Sequence, residues 1–325
     1  LVVSCDVTWL VTGGAGYIGA HVVHTLHLAG VRVVVLDNLS TGLAVRVPDG
    51  VALVKADVRD RAAVSGALAV HGVTGVIHLA ARKDVGESLA DPLGYYRDNV
   101  GGLRTVLSAA VSRGVRDIVF SSSAAVYGPA PTGRVDENSP TVPANPYGRT
   151  KLIGEWLLRD AAQTHGLRTV SLRYFNVAGA AAPALADVGA TNLVPRLLRA
   201  VQEGRPAQVY GLDHSTADGS CVRDYVHVAD IAEAHLVAAT ALREGRLDHD
   251  VLNIGRGAGV SVLEMIRAVR RICDQPLPSQ TAPPRAGDPP CVVAAADRIY
   301  EALGWRARRD LDDIVSSAWN ALRQA

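Results

Sequence analysis

Tyr147 and Lys151 stand one helical turn apart in the run Asn145-Pro-Tyr-Gly-Arg-Thr-Lys151. On a helix their side chains share one face, with the ammonium within reach of the phenol. That pairing can turn a tyrosine into a base. A free tyrosine loses its proton at about pH 10, and using it near neutrality demands about 4 kcal/mol of preferential stabilisation of the phenolate. Upstream, Ser121-Ser122-Ser123 closes a β-rich run, where the Ser123 hydroxyl is placed to hydrogen-bond the same substrate oxygen. Tyr-x-x-x-Lys alone is common on helix surfaces; the preceding serines and the loop described next give it meaning.

That loop is Gly13-Gly14-Ala15-Gly16-Tyr17-Ile18-Gly19, at the junction of a first strand and a first helix. Without Cβ atoms the backbone can approach a pyrophosphate, and the helix N-terminus offers free N–H groups to it. Asp37, 18 residues past Gly19 at the end of the second apolar run, is placed to accept from the adenosine ribose hydroxyls. A 2′-phosphate would meet like charge there, and Asn38, Leu39 and Ser40 supply no arginine to neutralise it, so NAD is predicted over NADP. Asp57, after the third run, is a second candidate, for the adenine amino group. A bound nicotinamide cation, together with Lys151, would supply the stabilisation that Tyr147 needs.

The elements that must position these groups alternate. Runs at 7–11, 31–36, 51–54, 76–79, 117–120 and 169–172 read as strands. Helical stretches at 17–29, 61–69, 93–112 and 147–165 lie between them. This βαβ rhythm predicts an α/β fold, a doubly wound parallel sheet of Rossmann type, covered on both faces. After Asn176 the pattern turns to Ala-, Gly- and Pro-containing loops, with a helix at 192–202 and a Pro-rich stretch at 275–290. We therefore expect a dinucleotide-binding domain at 1–177 and a smaller substrate lobe at 178–325, of which about 228–257 returns to the first domain.

Composition narrows the class. The 325 residues carry 33 basic and 32 acidic side chains, a net +1 that gives no field for nucleic acid or an anionic membrane. With 48% apolar and 20% charged residues the chain is expected to fold around large cores. Cys5, Cys221, Cys273 and Cys291 form no CxxC pair, which favours a reducing cytoplasm over a disulfide framework. Residues 1–6 lack a basic signal-peptide start, and no membrane span is read. Because Met265 is the only methionine, 1–6 is read as an extension or a non-standard start without function. His21, His24 and His27 recur every third residue but drift around the helix, and no metal site is expected.

Many ordered motifs carry a resemblance. They include GGAGYIG at 13–19, DNLSTG at 37–42, IHLAARKDVGES at 77–88, YYRDNVGG at 95–102 and FSSSAAVYG at 120–128. They continue with NPYGRTK at 145–151, LRYFN at 172–176, DGSCVRDYVHV at 218–228, NIGRG at 253–257 and RAGD at 285–288. From about 7 to 319 the chain resembles the extended short-chain dehydrogenase/reductases and, among them, the sugar-nucleotide epimerases of the UDP-glucose 4-epimerase family.

The resemblance implies roles. Tyr147 would be the acid/base at the sugar 4-hydroxyl, Ser123 its hydrogen-bonding partner, and Lys151 the group that lowers the tyrosine pKa and holds the nicotinamide ribose. Cofactor contacts would come from Gly13, Gly16, Tyr17, Ile18, Gly19, Asp37, Asn38, Ser40, Thr41, Gly42, Asp57 and Val58. Leu79, Ala80, Ala81, Lys83, Asn99, Ser121 and Phe175 would complete them. The UDP-sugar would meet Lys83, Ser123, Ala124, Tyr147, Asn176, Asn192, Leu193, Arg223, Tyr225, Arg285, Asp288 and Val292. Two arginines beside a diphosphate make physical sense, since the guanidinium fork matches phosphate oxygens.

The implied reaction interconverts UDP-galactose and UDP-glucose by inversion at C4 through a 4-keto sugar, with NAD tightly bound and not consumed. A homodimer formed through helices 93–112 and 147–165 is implied as well. Ala125, Val177, Thr191, His214 and Ser220 depart from the family pattern without removing a catalytic group. Val292 stands where bulk in the family limits room beside C2 of the sugar, so UDP-N-acetylhexosamine is an alternative substrate; UDP-glucuronate is another. Ala124 and Ala125 replace the Asp-Glu of the related 4,6-dehydratases, so elimination lacks its groups. A non-catalytic NAD or UDP-sugar sensor is the alternative of another class.

Overall fold

The computed structural model describes residues 7–129, 133–189, 191–285 and 288–324. Cys5 and the expected extension at 1–6 lie outside the described residues. The first half contains β1 (Thr8–Thr12), α1 (Tyr17–Leu28), β2 (Arg32–Asp37), β3 (Ala52–Lys55), α2 (Arg61–Val70), β4 (Gly75–His78), α3 (Val85–Ala90), α4 (Pro92–Tyr95), α5 (Gly101–Arg113), β5 (Asp117–Ser123), β6 (Arg134–Val135), α6 (Pro146–His165) and β7 (Arg168–Tyr174). The second half contains β8 (Asn176–Ala178), α7 (Leu193–Gln202), β9 (Ala207–Tyr210), β10 (Val222–His227), α8 (Val228–Arg243), β11 (His249–Ile254), β12 (Gly259–Ser261), α9 (Val262–Cys273), β13 (Ser279–Ala282), β14 (Cys291–Ala294), α10 (Asp297–Leu303) and α11 (Leu311–Gln324).

Seven strands form one parallel sheet in the order β11, β7, β5, β4, β1, β2, β3. This is the doubly wound arrangement that the βαβ rhythm predicts. Successive strand residues point to opposite faces, so each face buries its own set. Val11, Ile77 and Val119 meet Val22 and Leu26 of α1 and Ile231 and Leu242 of α8. On the other face Leu10, Val76 and Ile118 meet Leu68 of α2, Val106 of α5 and Leu158 of α6. Strand order reverses between β1 and β4, which opens a crevice beyond the carboxyl ends of the strands.

The remaining strands build a mixed five-stranded sheet around β10 and a two-stranded β9/β13 pair. A separate core of Val194, Leu198, Tyr225, Met265, Val269 and Ile314 lies under α7, α9 and α11. The segment 228–254 is not part of it: α8 packs on the first sheet and β11 forms its edge beside β7. Among the described residues no helix is long and apolar enough to cross a membrane.

The expected helix at 93–112 is broken by a π-turn at Tyr96–Val100. One extra residue in that turn swings Asn99 inward, where it bonds two neighbours. Its Oδ1 accepts from the Arg82 amide at 2.8 Å, and its Nδ2 donates to the Arg82 carbonyl and to Thr150 Oγ1, both at 3.0 Å. Periodicity gave no sign of the π-turn, because only a long-range partner rewards it.

Candidate active site

Gly13 leaves β1 with φ +72°, and a Cβ there would stand 2.7 Å from the Ala80 amide nitrogen. At Gly19 a Cβ would lie 2.0 Å from the Gly13 carbonyl oxygen. Only backbone fits at either point. Gly16 caps α1 without a side-chain hydrogen bond, so the first-turn N–H groups stay open to an anion. Glycine cradle and uncapped helix together fit a dinucleotide pyrophosphate. Tyr17 is buried and donates to the Gly179 carbonyl at 2.6 Å, and Ile18 is half-buried beside it.

Asp37 ends β2 in the crevice. Its Oδ2 accepts from the Ala15 amide at 3.0 Å and its Oδ1 from the Leu39 amide at 2.8 Å. Leu39 has φ 59°, a left-handed conformation that side chains disfavour and that clusters at binding loops. Gly42 packs under the Asp37 carboxylate, while Asn38, Ser40 and Thr41 are exposed around it. Asp57 stands close by, its Oδ2 reached by Asn38 Nδ2 at 3.3 Å, with Val58 against Gly102.

Folding brings one arginine to this corner that no local reading of 38–40 could reveal. Arg59 grips Asp57 with two bonds of 2.8 Å, holding that carboxyl well below the usual range, and its other arm lies 3.0 Å from Asp98. Two carboxylates neutralise it.

The predicted acid–base groups converge at the carboxyl ends of β5 and β7. β5 carries Ser121, Ser122 and Ser123 in register with Leu172, Arg173 and Tyr174. Asn145 caps α6 by accepting from the Gly148 amide at 2.9 Å, which sets Tyr147 and Lys151 over the strand ends. Burial pushes the Tyr147 phenol up, and the neighbouring Ser123 hydroxyl offsets only part of that rise. Lys151, only 4% exposed, donates to the Ser121 carbonyl at 2.7 Å and stands 5.1 Å from the Phe120 ring centre and 5.9 Å from that of Tyr147. Burial lowers its ammonium to about 7, opposed by the Glu155 carboxylate.

Two further groups line this floor. His78 bonds Thr12 Oγ1 through Nδ1 at 2.8 Å, and burial pushes it down to about 3, so it stays neutral. Tyr174 bonds His235 Nε2; since His235 Nδ1 must donate to the Ile231 carbonyl at 2.8 Å, Nε2 accepts and the Tyr174 hydroxyl donates. Burial raises the pKa of Tyr174, and with its hydroxyl donating to His235 it stays protonated.

Leu79, Ala80, Ala81 and the exposed Lys83 follow β4 along the same crevice, with the backbone of Arg82 held by Asn99. Across it Phe175, Ala124 and Val292 pack in one apolar cluster with Leu152 and Tyr127. Val292 pairs with Arg223 in the β10/β14 register, and Tyr225 pairs with Asn176. Arg223 lies 3.6 Å from Asp288, and Arg285 covers the Tyr210 ring at 3.9 Å. Asn192 donates to Asp187 at 2.9 Å as Leu193 begins α7. Tyr210, Tyr174 and Glu155 were not anticipated. For Glu155 a signal existed: it continues the Tyr147, Lys151 stripe by one more turn.

His21 and His24 spend their ring nitrogens on backbone groups, Tyr17 O and Arg46 O. Among the described residues no group of three or more metal-ligating side chains is found.

Residues 9–255 match the model of a family described as the NAD dependent epimerase/dehydratase family. A UDP-glucose 4-epimerase of Azospirillum brasilense is 45% identical over 95% of this chain and 90% of its own. The crystal structure of a UDP-glucose-4-epimerase from Stenotrophomonas maltophila, with bound NAD and formylated UDP-arabinopyranose, superposes with TM-score 0.94 at 40% identity, covering 98% of each chain. One from Bifidobacterium longum, in complex with NAD+ and UDP, gives 0.91 at 36% identity over 98% of each chain.

The glycine geometry generates a direct expectation. Gly19→Ala forces the loop away from Gly13, and the purified variant will release no dinucleotide on acid precipitation where the unaltered protein does, as read by ultraviolet absorbance of the supernatant.

Proposed function

This chain belongs to the NAD dependent epimerase/dehydratase family, and from that premise we propose that it interconverts UDP-galactose and UDP-glucose by inverting the C4 centre, with NAD retained and not consumed. The observation that carries this reading is the meeting, at one sheet edge, of a glycine cradle with Ser123, Tyr147 and Lys151. We assign the dinucleotide to the lobe 1–177 and the UDP-sugar mainly to 178–325.

Tyr147 takes the proton from the sugar 4-hydroxyl and returns it to the 4-keto oxygen, while Ser123 holds that oxygen in place. Lys151 keeps the phenol acidic and holds the nicotinamide ribose. NAD, when bound by the glycine loop, Asp37 and Lys151, supplies the acceptor and donor of the hydride at C4. Arg223 and Arg285 grip the diphosphate, with Asn176, Asn192 and Asp288 beside them. Binding strength placed on the nucleotide leaves the hexose free to turn and present its other face.

Val292, a modest side chain in the cluster around Phe175, favours a second reading in which the sugar bears an acetamido group at C2. Proton NMR of the purified protein with UDP-galactose, without added NAD, will show UDP-glucose growing to a fixed ratio. No conversion of UDP-galactose or of UDP-N-acetylgalactosamine, with or without NAD, would overturn the assignment.

We further propose a cytoplasmic homodimer built on α5 and α6. Trp156 of α6 is 49% exposed, and Leu89 and Leu93 on the neighbouring α3 and α4 are 63% and 81% exposed. Leaving such large apolar side chains in water is unfavourable, and a partner that covers them removes that cost. Sedimentation equilibrium will give twice the chain mass, and Trp156→Glu will give one chain mass; a single-chain mass for both contradicts the dimer.

A further inference from the structure

Along α6, Tyr147, Lys151 and Glu155 stand at successive i+4 positions and share one face. The last of them has no part in the chemistry described above, yet it is a buried carboxylate only 2% exposed. It is held on every side. Arg173 of β7 grips it through Nε at 2.9 Å and Nη2 at 2.7 Å, and Ser122 Oγ donates to its Oε1 at 2.5 Å. Arg173 is fixed in turn by the Tyr127 hydroxyl at 2.9 Å, and Tyr127 donates to Asn253 at 2.6 Å. Replacing such a buried ion pair with apolar side chains of similar volume is often neutral or stabilising, so stability alone does not account for it.

What faces Lys151 decides what Glu155 does. β5 offers the Ser121 carbonyl and the Phe120 face, which are uncharged. His78 from β4 is neutral, and Tyr174 from β7 is held protonated. α6 itself offers the Tyr147 phenol on one side and Glu155 on the other. Of these groups only Glu155 is a carboxylate, and it is paired with a guanidinium. Arg173 reaches that carboxylate from β7, while Glu155 stands one helical turn beyond Lys151 on α6 itself.

We propose that Glu155 is a positioning residue for the acid–base step: its anchored carboxylate keeps the buried Lys151 ammonium charged, and so keeps the proton off Tyr147 and on Lys151. The inference rests on the proposed roles of those two residues. Without Glu155 the shared proton moves from Lys151 to the phenol, which leaves a neutral amine beside a neutral tyrosine.

Glu155→Gln tests this, since it removes the charge and keeps the shape. Two readouts are taken on the holoenzyme: the pH profile of kcat, and the tyrosinate absorbance at neutral pH, referenced to Tyr147→Phe. The alkaline limb of the kcat profile will move down by about one pH unit, the tyrosinate signal will fall severalfold, and Glu155→Asp will restore both in part. A folded Glu155→Gln protein with both readouts unchanged overturns the proposal. Should Glu155→Gln fail to fold, the variant with both Glu155→Gln and Arg173→Met, which leaves no unpaired buried ion, takes its place under the same criteria. If the unaltered protein has no epimerase activity, the functional reading fails, while the tyrosinate titration still decides the role of Glu155.

Discussion

Keeping an ammonium charged inside a protein is the demand that organises this molecule. Transfer of an isolated cation into the interior is prohibitive, and a lysine so placed ordinarily sheds its proton. Lys151 is held at the point where β5 ends, α6 begins and the strand order reverses nearby. The carbonyl of Ser121, the face of Phe120 and the Glu155 carboxylate each offset part of the penalty. Residual instability of the charge is useful: an ammonium poised near neutrality responds strongly to a phenol that gains or loses a proton next to it.

The rest of the fold can be understood as support for that point. A parallel sheet sends every strand end to the same edge, so residues from β1, β2, β4, β5 and β7 meet without long loops. The first strands and α1 build the glycine cradle. The return of α8 and β11 to the first sheet supplies His235, whose ring fixes the proton of Tyr174. In the second half of the chain the β10/β14 pair sets Val292, which packs with Phe175, beside Arg223, and Arg223 lies 3.6 Å from Asp288.

Much of this was legible in the residues because it is local. The glycine loop, Asp37 at a strand end, the serine run and the Tyr147–Lys151 turn are spacing patterns within one or two elements, and the parallel sheet follows from alternating apolar runs. The π-turn at 96–100, the ion pair of Arg59 with Asp98 and the placement of Tyr210 and Tyr174 depend on partners far along the chain, which no periodicity encodes. Short strands such as β6 and β8 have too few residues to show alternation. Glu155 lies between these cases: its spacing was visible, but its meaning needs Arg173 and Ser122, which only the β5/β7 register delivers.

The central claim is that one phenol, kept acidic by one buried ammonium, carries the proton traffic at C4. Turnover of UDP-galactose by Tyr147→Phe, measured beside UDP affinity by calorimetry, tests it most directly. The account predicts a fall in kcat of about a thousandfold with UDP affinity unchanged. Turnover near that of the unaltered protein would contradict it.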